Sequence, residues 1–362
     1  MKQISALTSL RALLAFWVIT RHLFHPFEDG VFFKLSASIS AFDKGYLGVD
    51  GFFILSGFIL GYNYTRGRKF EYREFIIARF ARIYPVHLFC LLSATAVIIV
   101  CEATNSKSEF GIHPNTRFDL LTNFLLLNSW KLRPGTSWND VAWSVSAEWF
   151  AYVFFPLFVW LSRAKNKATA IVMLAIPAGI LAAVEHLYIY KLSIPGGLIR
   201  LIPEFYAGIL LCKLREYISS APRLSGIASL LLIASGVACD LDTVVVIGLA
   251  ALIFSLSFEG DALALPLSPT AFVYLGEISY CLYMVQRLPQ QALSFFRSSI
   301  PAVNALSNLT QCAIYLVALL ACAALLHHVI EVPARRAIRH IFDRSRKIAS
   351  IPHINKSNQL KT

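Results

Sequence analysis

This sequence has few charged residues and no cysteine spacing typical of a metal site. Only 15% of its 362 residues are charged, against roughly 25% in an ordinary soluble domain. The seven cysteines are scattered, most lie within apolar stretches, and none forms a CxxC pair. Neither a disulfide framework nor a zinc site is therefore expected, and we predict no bound metal.

Acidic residues are scarcer than basic ones. There are 21 Asp and Glu against 33 Lys and Arg, a net charge of +12. The basic residues cluster between apolar runs and near the C-terminus, as topology determinants do, so no nucleic-acid partner is expected. With 57% hydrophobic residues and apolar runs spaced by bilayer thickness, the sequence predicts an all-α, polytopic integral membrane protein.

The apolar runs predict about ten transmembrane helices. Basic segments after the second, fourth and last runs place both termini in the cytoplasm. We predict a transmembrane domain over residues 1–340 and a basic, disordered cytoplasmic tail over 341–362. The predicted spans lie near 6–24, 46–62, 84–101, 143–162, 169–189, 198–214, 225–239, 243–258, 270–289 and 306–330.

Two ionisable residues in the first apolar run are the most informative feature. Arg11 and His22 lie eleven positions apart, which on a helix returns to within about 20° of one face and moves about 16 Å along the axis. An intramembrane arginine is costly unless it faces protein or water. We predict both residues to be functional, although either alone would fit a side chain that reaches the membrane interface.

The second apolar run combines glycines with one carboxylate. Its Gly57-x-x-x-Gly61 spacing predicts close helix packing. Asp50 needs a cationic partner in this setting, and Arg11 or Arg21 of the preceding helix could supply it. A structural ion pair is the favoured role of Asp50.

Arg79 and Arg82 stand three positions apart just before the third span. On a helix they share a face, and their planar guanidinium groups suit a phosphate. Contact with lipid headgroups is the alternative. We predict that the pair binds a phosphorylated donor.

The fourth and last spans carry the remaining candidates. Ser144 and Glu148 are four positions apart, so a hydroxyl and a carboxylate share one helical face. Glu148 either makes structural hydrogen bonds or orients a catalytic histidine. Glu331 and Arg335 have the same spacing, and we expect this pair to anchor the last helix in a supporting role.

Six motifs, in this order, resemble those of the membrane acyltransferase-3 family, which includes O-acetyltransferases of bacterial surface polysaccharides. They are Arg11-x10-His22, GVDGFFILSGF, Arg79-x-x-Arg82-IYP, WSVSAEWFAY, LGEISYCLYM and EVPARRAIR, and they cover roughly residues 4–340. The resemblance implies a ten-helix enzyme that moves acyl groups, commonly acetyl from cytoplasmic acetyl-CoA, to carbohydrate hydroxyls.

The resemblance also implies roles for particular residues. It places the family's essential arginine and histidine at Arg11 and His22, its arginine pair at Arg79 and Arg82, and its carboxylate at Glu148. The chain departs from the family in one place. Gln286 stands where many members have histidine, with Pro289 displaced by one position, which puts a role for a second histidine in doubt.

The chemistry of these residue types fits acyl transfer. A thioester is already activated, so its transfer to an alcohol needs mainly a base for the hydroxyl proton and a cation or donor for the oxyanion. Histidine ordinarily titrates near neutral pH, which suits His22 as base, and Arg11 stays charged. Their offset of about 16 Å assigns Arg11 to the donor path and His22 to the reacting centre. A relay through acyl-His22 is the alternative.

The sequence therefore predicts a membrane-bound O-acyltransferase with acyl-CoA, expected to be acetyl-CoA, as co-substrate and no bound cofactor. The expected acceptor is a hydroxyl of a cell-surface or exported glycan, free or lipid-linked, and the expected location is the bacterial cytoplasmic (inner) membrane, among membrane lipids. A transporter or flippase of an anionic or sugar-linked substrate is the alternative. A non-catalytic scaffold would leave Arg11, His22 and Glu148 unexplained.

Overall fold

The computed structural model describes residues 4–24, 40–65, 70–104, 115–130, 138–187, 197–220 and 222–349. Within these ranges every regular element is helical, which confirms the predicted all-α class for that part of the chain. The α-helices of seven residues or more are α1 Ser5–Phe24, α2 Leu47–Tyr64, α3 Tyr72–Ala103, α4 Arg117–Phe124, α5 Trp143–Val153, α6 Phe155–Leu161, α7 Lys167–Leu187, α8 Gly197–Glu216, α9 Ser225–Ala238, α10 Asp242–Leu256, α11 Thr270–Glu277, α12 Ser279–Val285, α13 Arg287–Ser299, α14 Asn308–Leu326 and α15 Val332–Ala349. A π-helical turn, His327–Glu331, joins α14 to α15.

Each predicted span contains a helix, but fewer of these helices are long and apolar enough to cross a membrane. In the described residues four stretches meet that condition, and a fifth does if α5 and α6, bent by 64°, count as one span. Helices α9 and α10 are apolar but shorter. This is the pattern of a membrane protein, while the ten spans and the side of the termini stay predictions. The four stretches are Ala41–Tyr64, Tyr72–Ala103, Lys167–Leu187 and Asn308–Phe342.

Helix α2 is central, and glycines allow α8 to pack directly on its backbone. A Cβ atom on Gly57 would lie 2.1 Å from the carbonyl oxygen of Phe205, and one on Gly208 would lie 2.0 Å from that of Ile54. Gly61 faces Cys212 one turn further on. The predicted packing role of Gly57 and Gly61 is thereby confirmed.

The contact between α2 and α8 also contains the partner of Asp50. Arg200 donates from Nε to Asp50 Oδ1 at 3.0 Å and forms a second bond from Nη2 to Oδ2. The ion pair that we expected at Asp50 is present, but the expectation that Arg11 or Arg21 forms it is wrong. Arg21 instead lies 3.4 Å from Asp43, because α8 rather than α1 covers the Asp50 face of α2.

The two ends of the helical bundle differ in charge. At one end, which we call the acidic end, Lys44 contacts both Asp240 and Asp242, and Glu185 accepts the Asp242 and Thr243 backbone N–H groups at 2.7 and 2.9 Å. The other end, which we call the basic end, holds the first turns of α3 and the arginines of α15. This asymmetry agrees in direction with the basic segments of the sequence.

Helix α15 runs to Ala349 and so extends into the segment assigned to the tail, 341–362. Its apolar residues recur at helical spacing, which favours a helix over a disordered chain. Residues 350–362 of the tail lie outside the described residues.

Candidate active site

Five of the predicted site residues meet at one cavity inside the bundle, which we call the inner cavity. Arg11 of α1, Arg79 and Arg82 of α3, and Ser144 and Glu148 of α5 all line it. Its volume is about 110 Å³, enough for a few water molecules or one small acyl group, given about 30 Å³ per water. Residues far apart in sequence thus form one polar site in an apolar bundle. The other polar residues of its lining are Ser56, Tyr152, Ser279, Tyr280 and Tyr283.

Arg11 differs from the other two arginines of this cavity, because among the described residues it is attracted by Glu148 without a direct contact. Across the part of the chain that the structure describes, it makes no hydrogen bond or ion pair, and its side chain is half-buried. An unpaired guanidinium group in such a place is costly unless it binds a ligand or water. Arg11 is therefore available to an anionic or carbonyl group in the cavity.

Arg82 is neutralised by Glu331. The two side chains form a close ion pair, and the second oxygen of Glu331 bonds His327 Nδ1 at 2.9 Å and accepts from Cys281 Sγ at 3.2 Å. The predicted pairing of Glu331 with Arg335 is wrong. Glu331 lies in the π-helical turn and pairs with Arg82 of α3, whereas Arg335, in the first turn of α15, forms no ion pair among the described residues.

Arg79 is surrounded by aromatic rings. Its guanidinium carbon lies 5.8 Å from the Tyr64 ring centroid and 6.0 Å from those of Phe75 and Tyr152. Its Nη2 contacts the Tyr64 hydroxyl at 3.5 Å. These rings hold the guanidinium by cation–π attraction and fix its direction.

Glu148 is the carboxylate of the inner cavity. Its Oε1 accepts a hydrogen bond from the Ser56 hydroxyl of α2 at 2.6 Å, and it shares the face of α5 with Ser144 and Tyr152. Ser144 does not bond Glu148. It donates to Tyr283 of α12 at 2.8 Å, and the Tyr283 hydroxyl donates to the Val141 carbonyl at 2.9 Å.

A larger cavity opens at the basic end and shares Arg11, Arg79 and Arg82 with the inner one. This outer cavity has a volume of about 600 Å³. The three shared arginines form the junction between the two cavities. Its further polar lining is Thr8, Tyr62, Asn63, Glu277, His327, His328, Arg335, Arg336 and Arg339.

His22 lies apart from this cluster. It is in the last turn of α1 and is not among the described residues that line either cavity. The separation agrees with the offset from Arg11 of about 16 Å along a helix. Residues 25–39, which follow it, lie outside the described residues, so the catalytic role of His22 stays a prediction.

Sequence reasoning missed the hydroxyl groups that complete the inner cavity. Ser56, Tyr280 and Tyr283 lie within the family-like motifs. A serine in an apolar helix more often bonds its own backbone than a ligand, and a tyrosine there is readily explained by its apolar ring. Gln286, the departure from the family pattern, is buried and donates to the Tyr283 carbonyl at 2.9 Å. It lies next to a cavity residue but does not itself line the cavity.

The described residues form an all-helical bundle of membrane type in which arginines, a carboxylate and hydroxyls surround a small internal cavity. The sequence model of the acyltransferase-3 family, described as an acyltransferase domain, matches residues 4–328. The chain belongs to this family and is an O-acyltransferase.

Two relatives show how far the similarity extends. Acyltransferase MdmB of Streptomyces mycarofaciens is 29% identical over 346 residues, which are 85% of this chain and 84% of that protein. Peptidoglycan O-acetyltransferase OatA of Listeria monocytogenes is 27% identical over 211 residues, 54% of this chain but only 30% of that protein. No solved structure matches the chain.

Proposed function

We propose that this O-acyltransferase takes an acyl group, acetyl in the simplest case, from acyl-CoA and transfers it to a hydroxyl of a cell-surface or exported glycan, in the bacterial cytoplasmic membrane. The observation that carries the proposal is the junction of two cavities at Arg11, Arg79 and Arg82. The larger cavity opens at the basic end, which the positive-inside rule assigns to the cytoplasm, where acyl-CoA is found.

The size of the inner cavity supports a short acyl group. About 110 Å³ suits an acetyl group better than a long acyl chain. A carbohydrate acceptor is supported by the relative named peptidoglycan O-acetyltransferase. Membership of an acyltransferase family, together with the carboxylate and hydroxyls of the cavity, favours an enzyme over a transporter or flippase.

Acyl transfer requires one bond exchange and one proton transfer. The carbonyl–sulfur bond of the thioester breaks, a carbonyl–oxygen bond to the acceptor forms, and the hydroxyl proton ends on the thiolate of CoA. Arg11 is placed to bind the donor on its path to the reacting centre, because its guanidinium group forms no ion pair or hydrogen bond among the described residues. Glu148 offsets the positive charge of the arginines.

His22 is proposed as the base or the acyl carrier. About 16 Å of helix separates it from Arg11, so it cannot contact a carbonyl held at Arg11. It acts at a reacting centre beyond Arg11 along α1, where as a base it takes the proton of the acceptor hydroxyl while that oxygen attacks the thioester carbonyl. In the relay His22 itself attacks that carbonyl, CoA leaves as the thiolate, and the hydroxyl then takes the acyl group from His22. Both routes require Arg11 and His22.

The decisive experiment measures transfer of labelled acetyl from acetyl-CoA to an isolated cell-surface glycan by purified protein in lipid vesicles. Arg11→Gln should lower kcat/KM for acetyl-CoA at least tenfold, about the effect of losing one hydrogen bond from a charged group to the donor. His22→Ala should abolish transfer. Arg21→Gln is the matched control, because Arg21 lies on the same helix and pairs with Asp43 outside both cavities.

Full transfer by Arg11→Gln would contradict the role of the cavity, and near-normal transfer by His22→Ala would contradict that of His22. Labelled acetyl trapped on the wild-type protein and absent from His22→Ala would establish the relay. Failure of the wild-type protein to acylate any glycan from acetyl-CoA would overturn the proposed donor and acceptor.

A further inference from the structure

The phosphates of an acyl-CoA need cationic side chains that are not already engaged. Arg82 is neutralised by Glu331, and Arg79 is held among three aromatic rings with its Nε buried and unbonded. Arg11 lies deeper, at the small inner cavity. Of the pair that the sequence suggested for phosphates, Arg82 is therefore neutralised, and Arg79 alone offers too little charge for the several phosphates of an acyl-CoA.

Three arginines of α15 meet this need. Arg335, Arg336 and Arg339 line the outer cavity, and within the described residues none of them forms an ion pair or a hydrogen bond. Arg335 and Arg339 are one helical turn apart, and Arg336 and Arg339 are three positions apart, so the three guanidinium groups lie close together on α15. Clustered guanidinium groups bind phosphate oxygens through several directed hydrogen bonds.

The shape of the outer cavity favours a soluble ligand over a lipid headgroup. Its walls come from α1, α2, α3, α11, the π-helical turn and α15, so these arginines line an open pocket between helices rather than a single helix face. Among the lining residues, six arginines face one carboxylate, that of Glu277. Such a cavity concentrates a polyanion of small size.

We infer that Arg335, Arg336 and Arg339 bind the phosphate groups of the acyl-CoA donor, while its thioester reaches Arg11 at the junction with the inner cavity. This inference rests on the proposed donor. It replaces the supporting role that the sequence suggested for Arg335, and it leaves Arg79 and Arg82 as residues that shape the passage between the two cavities.

The test compares two donors that differ in their phosphates. S-acetylpantetheine carries the same thioester as acetyl-CoA but no phosphate group. In the triple variant Arg335→Gln, Arg336→Gln and Arg339→Gln, KM for acetyl-CoA should rise at least tenfold, while kcat and KM for S-acetylpantetheine stay within about twofold of wild type. Each tenfold change corresponds to about 1.4 kcal/mol.

The matched control removes three positive charges from the same end of the bundle. Arg163, Lys165 and Lys167 are exposed around the connection between α6 and α7 and do not line the outer cavity. Their triple replacement by Gln should leave both KM values within about twofold. The single variants Arg336→Gln and Arg339→Gln, both at exposed positions, provide the same comparison if the triple variant does not fold.

Equal changes of KM for the two donors, or no change for either, would overturn the inference. If the arginines bind lipid headgroups instead, the variant should lose thermal stability in vesicles with anionic lipid and keep the wild-type ratio of the two KM values. A wild-type protein that binds neither CoA nor acetyl-CoA would instead refute the proposed donor itself.

Discussion

Buried charges in this protein are paired between helices that lie far apart in sequence. Asp50 of α2 binds Arg200 of α8, and Arg82 of α3 binds Glu331 of the π-helical turn. A buried charge that loses its partner keeps its desolvation cost and recovers none of the attraction. Each pair therefore fixes the position of two helices.

Asp50→Asn should lower the free energy of unfolding by about 1.5–3 kcal/mol, because Arg200 would lose its charge-assisted hydrogen bonds while the buried Glu204 stays nearby. The measurement is reversible unfolding by SDS in mixed micelles. Asp43→Asn is the control. Asp43 faces Arg21 with 61% of its side chain exposed, and an exposed pair contributes about 0–1 kcal/mol. Equal losses of unfolding free energy in the two variants would show that water reaches the Asp50–Arg200 pair as it reaches the exposed one.

Sequence reasoning identified charged residues but not their partners. Arg11 and Glu148 were recognisable because a charge in an apolar helix needs a reason, and Arg79 and Arg82 because two arginines three positions apart share a helical face. Arg200 stands in an equally apolar run, GLIRLIPEF, and the same argument would have found it. That Arg200 binds Asp50 could not be predicted, because it depends on which helix covers that face of α2.

The close packing of helices and the points at which they end depend on glycine and proline at defined positions. Between α2 and α8 the backbones touch at Gly57 and Gly208, so this contact tolerates no side chain. Between α5 and α6 the chain bends by 64° just before Pro156, which lies in the first turn of α6. Proline has no N–H for the carbonyl four residues earlier, which ends α5 at Val153.

Gly57→Ala should destabilise the protein by about 1–3 kcal/mol, the usual cost of overpacking, because the new Cβ would meet the Phe205 carbonyl oxygen. Gly179→Ala in α7 is the control, since nothing lies within 4 Å of the Cβ position there. Alanine's higher helix propensity should make that change neutral or stabilising by up to about 1 kcal/mol. SDS unfolding measures both. A stable Gly57→Ala variant would show that α2 and α8 can separate.

The positions of the helices were easier to predict from the sequence than the points at which a helix breaks. Apolar length located each segment, so every predicted span contains a helix. The run over 143–162 was predicted as one span although Pro156 stands in it, because an apolar run does not reveal whether a proline ends a helix or only kinks it. The break matters, since it leaves Ser144 and Glu148 on a short helix of eleven residues.

The whole molecule is polarised along its axis. Lys44, Asp240, Asp242 and Glu185 meet at the acidic end, while the outer cavity with its arginines opens at the basic end. Basic residues are retained on the cytoplasmic side during insertion. The polarity therefore predicts the orientation of the molecule and the face from which the donor enters.

A topology reporter inserted at Lys165 and one fused after Thr362 should both report the cytoplasm. A reporter inserted at Asp240, between α9 and α10, should report the opposite side, because Asp240 contacts Lys44 at the acidic end. Because the reporters are expected on both sides of the membrane, each fusion serves as a control for the others. The same side for Lys165 and Asp240 would contradict both the orientation and the cytoplasmic entry of acyl-CoA.

The π-helical turn His327–Glu331 determines the direction in which the side chains of α15 face around the helix axis. A π-helical turn accommodates one residue more than an α-helix would, and one residue corresponds to about 100° of rotation. In a continuous α-helix, Arg335, Arg336 and Arg339 would face about a quarter-turn away from the outer cavity. Loss of a single residue from this turn, with no arginine altered, would therefore rotate the proposed phosphate-binding face out of the donor's path.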